Sequence, residues 1–193
     1  MKRGIVVLLA GLTVAGCAAP AVTLYTLGVP AQAGAAIPLG AKPMVIAISR
    51  ITVPDYLDTQ DILVRHGAVL QSSRVGRWAS RLSLGATELV TARLSRERPD
   101  ALVTDQPQSA SPSYRIVINV SRFDITDGSR AGDGAATLEA DWLIVPNDAT
   151  APVRRDRTRI DASGPMQGDG EVVGLATAVL ERLAAAIDIR GLR

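Results

Sequence analysis

Apolar positions along the chain alternate in some stretches and recur every three to four residues in others, and the two periods mark out strands and helices. Val22-Thr23-Leu24-Tyr25-Thr26-Leu27 is β-branched and alternating, which predicts a first strand. Ala31 to Ala41 reads as a loop, and Met44 to Ile48 as the unbroken apolar run of a strand buried on both faces. Between Val53 and Arg65, polar residues from Asp58 to Asp61 separate Tyr56-Leu57 from Ile62-Leu63-Val64, and Pro54 keeps Val53 extended. Two arrangements fit this segment. One is a tight excursion that presents Tyr56 and Leu57 beside a returning strand, and the other is a hairpin whose aromatic folds back on the core.

From Gly76 to Arg98 the period lengthens. Trp78, Leu82, Ala86, Leu89 and Ala92 or Arg93 share a helical face, Ser72 or Ser73 is placed to cap the start, and Pro99 ends the run. Trp78 in the first turn is expected to anchor the core. Three strands follow. Tyr114 to Phe123 puts Tyr114, Ile116, Ile118 and Val120 on one face, and Ala136 to Val145 does the same with Leu138, Ala140, Trp142 and Ile144. Val153 to Ala162 alternates weakly, and its Arg154, Arg155, Arg157 and Arg159 suit a solvated edge strand. A closing helix opens at Asp169 or Gly170 and aligns Val172, Leu175, Ala176, Val179, Leu183, Ala186 and Ile187. Glu171 and Arg182 or Arg190 suit its dipole. The expected fold class is α/β (α+β): a single domain with a mixed, mostly antiparallel sheet and two main amphipathic helices packed on it.

The first residues carry a different signal. Lys2 and Arg3 precede an apolar run from Ile5 to Leu12, which is the layout of an export leader. A transmembrane helix needs about 20 apolar residues, and this run is shorter and broken by Gly16 and Pro20. Leu12-Thr13-Val14-Ala15-Gly16-Cys17 resembles a bacterial lipobox, in which the cysteine is alkylated with diacylglycerol and becomes the first residue. The expected divisions are a leader over 1–16, a lipidated Cys17 with a tether over 17–21, and a domain over 22–193. No cofactor is expected beyond the covalent diacylglycerol and N-acyl chain on Cys17. Ala18 after the cysteine suggests, by analogy with bacterial sorting, the periplasmic face of the outer membrane.

Charge narrows the function further. The chain of 193 residues has 21 basic and 19 acidic side chains, and Lys2 and Arg3 leave with the leader. The balance that remains argues against nucleic acid as a partner. Cys17 is the single cysteine, so the domain must be stable without disulfides. Catalytic chemistry finds few candidates. His66 is the one histidine, and no Gly-x-Ser-x-Gly elbow surrounds any serine. No His-Glu-x-x-His motif offers metal ligands, and the glycines at 128, 132 and 134 lack a following Lys-Ser or Lys-Thr. A non-enzymatic protein is expected.

Pro54-x-Tyr56-Leu57-Asp58-x-x-x-Ile62-x-x-Arg65, followed by Arg77-Trp78-Ala79-x-x-Leu82, resembles the ABC-type transport auxiliary (PqiC-like) lipoprotein family. Tyr25-Thr26-Leu27 after the lipobox, Tyr114-Arg115-Ile116-x-Ile118 with Phe123, Ala140-x-Trp142 and the Ala/Leu-rich last helix fit the same family. The resemblance implies a lipoprotein held on the outer membrane by its lipid anchor. It also implies docking to the MCE-domain periplasmic protein of an ABC transporter that moves phospholipid or other hydrophobic molecules. On that reading Tyr56, Leu57 and Ile62 are the partner-binding candidates at the surface, with Trp78 supporting the segment from below. One alternative is a carrier with its own apolar cavity, which needs roughly 300–1,000 Å³. Another is an envelope hydrolase built on His66.

Overall fold

The longest alternating segments of the sequence form the centre of the sheet. In the computed structural model, which describes residues 21–28, 44–109 and 111–193, strand β6 runs over Tyr114–Asp127 and β7 over Asp133–Pro146. They pair antiparallel along almost their whole length. Ile116, Ile118 and Val120 face inward, and a register shift between Val120 and Arg122 then inserts one extra residue. That bulge returns Phe123 and Ile125 to the same buried face, where uninterrupted alternation would have turned them out. Strand β8, Arg154–Pro165, continues the meander as an edge strand beside β7.

The other edge of β6 is shared by two shorter groups. Strand β2, Met44–Ile48, lies parallel to the start of β6, with β5, Ala101–Thr104, parallel on its far side. Strand β2 buries Ile46 and Ile48 on one face and leaves Met44, Val45 and Ala47 half-buried, so it is less enclosed than the two-faced burial its apolar run predicted. Thr52 bridges to Asn119, and the chain then rejoins β6 as β3, Asp61–His66, through the one pairing Arg65 to Thr126. Strand β4, Val69–Trp78, returns antiparallel to β3 around Gly67, whose φ of 61° suits glycine. Strand β1, Thr23–Tyr25, lies parallel on the outer edge of β4. The sheet is mixed, with antiparallel pairing in its long ladders and parallel pairing in its short ones.

Helix α1, Leu82–Glu97, and helix α2, Asp169–Ala186, pack on each other and against the sheet. The first helix begins later than its periodicity suggests. Residues 72–78 belong to β4, so Ser72 and Ser73 cap nothing and Trp78 ends a strand. The cap comes from a distant segment: Asp58 Oδ1 accepts the Ser83 N–H at 3.0 Å, and the Thr59 carbonyl accepts that of Leu82 at 3.2 Å. In α2 the buried face takes in Leu180 and Ala184 but leaves Ala186 exposed. Packing against both sheet and α1 covers a wider arc than a single stripe. Strands β4 and β5 escape sequence analysis because one is largely polar and the other is four residues long.

The C-terminal tail is fastened by a buried arginine. Arg98 donates to the carbonyls of Ile189 at 2.8 Å and Leu192 at 3.0 Å while pairing with Asp100 at 2.8 Å. This closes the end of α1 over Ile187 and Ile189, both fully buried. The expected leader over 1–16, Cys17 and the expected loop at 31–41 lie outside the described residues.

Candidate functional site

Residues 53–61 form a compact turn fixed at both ends. The backbone N–H of Ile51 donates to Thr87 Oγ1 at 2.9 Å, and that of Val120 donates to the Thr52 carbonyl at 2.8 Å, so the segment leaves from anchored backbone. Leu57 N–H then donates to the Pro54 carbonyl at 2.8 Å, and Thr59 N–H to that of Leu57 at 2.8 Å. At the exit, Trp78 N–H donates to the Gln60 carbonyl at 2.7 Å. Every turn is tied to the sheet or to α1.

This geometry splits the residues expected to share one surface. Tyr56 points outward and is 51% exposed, whereas Leu57 is 4% exposed and faces Trp78, Leu82 and Phe123. Ile62, at 1%, lies on the face of β3 turned toward the start of α2. Leu57 and Ile62 are therefore core residues, a correction to their expected surface placement. Consecutive side chains in so tight a turn diverge, so only one of the pair Tyr56-Leu57 reaches solvent. Trp78 is buried beside Leu57.

Beneath the exposed tyrosine lies an ionic network that no sequence motif announces. Arg65 Nε sits 2.6 Å from Asp124 Oδ1, and Arg122 Nε sits 2.7 Å from its other oxygen. Burial pushes the Asp124 carboxyl up, but the two guanidiniums outweigh it and hold the group below the usual carboxylate range. Asp124 in turn holds Arg65 more firmly protonated, with a smaller contribution from the Tyr56 phenol. The network runs on across the outer face of the sheet through Arg122, Glu139, Arg159 and Asp161. Arg157 pairs separately with Asp141 at 2.7 Å. Half of the basic stripe on β8 is thus matched by acids across the strands, as the solvated reading of that strand expected.

Asp58 is the second residue whose role only the fold reveals. Burial opposes its ionisation, but hydrogen bonds from Ser83 and the charges of Arg50 and Arg81 bring its carboxyl below the ordinary range. The same aspartate shapes the turn and starts α1.

His66 ends β3 with Nδ1 2.5 Å from Asp127 Oδ2, next to the single backbone pairing of β3 with β6. Beside it opens a groove of about 360 Å³ between β3, β4 and the start of α2, lined by Ile62, Val64, Met166 and Val172 but also by Gln71 and Asp169. Ser73 on the same groove donates to Asp169 at 2.7 Å and accepts the Gly76 N–H at 2.8 Å. In these contacts His66 and Ser73 each engage an aspartate, not one another. A Cβ at Gly76 would come within 2.2 Å of Asp169 Oδ2, so any larger residue there would displace that carboxylate from Ser73. The enclosed void around Leu57, Trp78 and Phe123 holds only about 10 Å³, room for about one water. Among the described residues, no cluster of three or more His, Cys, Asp or Glu is placed to hold a metal, and no helix is long and apolar enough to cross a membrane.

A family model described as "ABC-type transport auxiliary lipoprotein component" matches residues 25–188. A crystal structure of an uncharacterized protein superposes with a TM-score of 0.68 at 17% identity, over 87% of this chain and 97% of the other. A Xanthomonas campestris protein of family DUF330 superposes with a TM-score of 0.62 at 16% identity, over 85% and 91%. At such identities these two share the fold. No curated protein matches the sequence.

Proposed function

We propose, from the premise that this chain belongs to the ABC-type transport auxiliary lipoprotein family, that it is a non-enzymatic docking subunit of an ABC/MCE-type transport system. Acylated at Cys17, it sits on the periplasmic face of the outer membrane and meets the MCE component of a system moving phospholipid or other hydrophobic molecules. The observation that carries the docking role is Tyr56: a large aromatic, half exposed, held on a turn hydrogen-bonded to both sheet and helix. A rigid aromatic loses little conformational freedom on contact, which is why such residues dominate binding surfaces. The carrier alternative requires an apolar cavity of its own; the interior void is far smaller than a lipid chain, and the 360 Å³ groove beside His66 is open to solvent and partly polar, lined by Gln71, Ser73 and Asp169 as well as by apolar residues.

The test is co-purification from detergent-solubilised envelopes. The parent chain is expected to bring down an MCE-domain protein, and Tyr56→Ala to lose it while keeping the parent's unfolding midpoint. Retention of the partner by a folded Tyr56→Ala chain would remove Tyr56 from the interface. Failure of the parent to capture any MCE protein would remove the docking role.

A further inference from the structure

The seat of the domain on the bilayer follows from where its first strand is fastened. Strand β1 is fixed to the body by its register with β4, Thr23 to Gly76 and Tyr25 to Trp78, and by the Ala79 N–H donating to the Tyr25 carbonyl at 2.7 Å. Leu27 is buried immediately after, in contact range of Gly85 on α1, where a Cβ would lie 3.2 Å from Leu27 Cδ1. No slack can therefore be drawn from beyond Thr23. Cys17 precedes Thr23 by six residues, which span at most about 20 Å when fully extended. A domain of this length has a radius of gyration of about 15 Å and is about 40 Å across. A tether of half that width cannot let the domain turn freely, so the edge carrying β1 has to face the surface that holds the anchor.

That edge has the chemistry of an interfacial contact. Val22 and Leu24, two residues apart and so on one side of the strand, are 58% and 65% exposed, the latter being the most exposed large hydrophobic of the described chain. On β4, Arg74 lies two residues before the partner of Thr23, in the bulged stretch between Ser72 and Arg77. It is exposed and makes no ion pair among the described residues. Two apolar side chains with a nearby guanidinium suit the boundary between acyl chains and lipid phosphates.

We infer that the β1 edge of the sheet is a membrane-contact surface, with Val22 and Leu24 entering the headgroup region of the anchoring bilayer and Arg74 facing its phosphates. The inference rests on acylation of Cys17, and it holds Tyr56 and the outer sheet face in a set orientation relative to the membrane.

The full, acylated chain in vesicles of phosphatidylethanolamine and phosphatidylglycerol provides the test. An environment-sensitive fluorophore is placed on Leu24→Cys, or on Val22→Cys as a second variant, and doxyl-labelled phospholipid serves as quencher. The control label is on Ala149→Cys, an exposed position in the turn at the far end of β7. Intact mass measures acylation in the same samples. Labels at 22 and 24 are expected to be quenched about twofold or more beyond the control. Equal quenching at 24 and 149 in a chain whose Cys17 is acylated overturns the contact surface and leaves the anchor standing. An unmodified Cys17 overturns the anchor and the seat together. Shielding at 24 that grows with protein density and persists without bilayer shows a second copy on β1, which also overturns the inference.

Discussion

The two sides of β6 are built differently. On one side, β7 pairs with it and β8 with β7 through long antiparallel ladders; the inward residues of β6 and β7 alternate apart from the bulge, while Arg154 and Asp156 at the start of β8 stay exposed. On the other side, β3 touches β6 at a single backbone pairing, and the contact is completed by Arg65 with Asp124 and His66 with Asp127. The first side is held by backbone, so its side chains are free to be a regular apolar layer. The second has a short backbone ladder to β2 at the start of β6, but its β3 portion relies on side chains, and the turn carrying Tyr56 is mounted between the two. Where backbone pairing is sparse, individual charged and capping residues matter more.

Substitutions that remove core volume should cost most on either side. Leu57→Ala and Leu138→Ala are each expected to lower unfolding free energy by about 2–5 kcal/mol in urea titrations. Equal losses would show that the irregular turn is packed as tightly as the meander. A loss below about 1 kcal/mol for Leu57→Ala would show that the turn collapses around the gap.

The ionic contact sharpens the contrast. Asp124→Ala leaves two guanidiniums facing a half-buried site and is expected to cost about 1–3 kcal/mol at neutral pH. The folded carboxyl lies below its ordinary value of 3.8, so its contribution is complete above that value and is lost as pH falls through the lower folded one. The gap between parent and variant should therefore close in acid, as urea titrations below pH 4 would record. A gap independent of pH would assign the loss to packing.

Asp58→Ala removes the cap of α1 and is expected to cost about 0.5–2 kcal/mol, with the same direction of pH dependence, measured by thermal unfolding followed at 222 nm. The smallest effect belongs to the outer face of the meander. Arg157→Ala should leave the unfolding midpoint where it is, since its ion pair with Asp141 is open to solvent. A measurable loss there would mean that the charge ladder, and not the backbone ladder, holds β8.

Periodicity carried much of the fold. The alternation of Ile116, Ile118 and Val120, that of Leu138, Ala140, Trp142 and Ile144, and the apolar stripe of α2 all depend on near neighbours in the chain, which repeat with the local geometry. The resemblance carried by the segment around Tyr56-Leu57-Asp58 and by Trp78 was legible for the same reason, as a run of adjacent residues. What tertiary structure alone decided was the direction of each side chain in irregular segments. Tyr56 and Leu57 are both large and adjacent, and only the position of Trp78 and Phe123 assigns one to solvent and the other to the core. Strand β4 is defined by hydrogen-bonding partners on both of its edges, and a polar strand of that kind leaves no periodic trace. Asp58 caps a helix that begins 24 residues later. Such a contact depends on distance in space, which a linear pattern of apolar and polar residues does not encode.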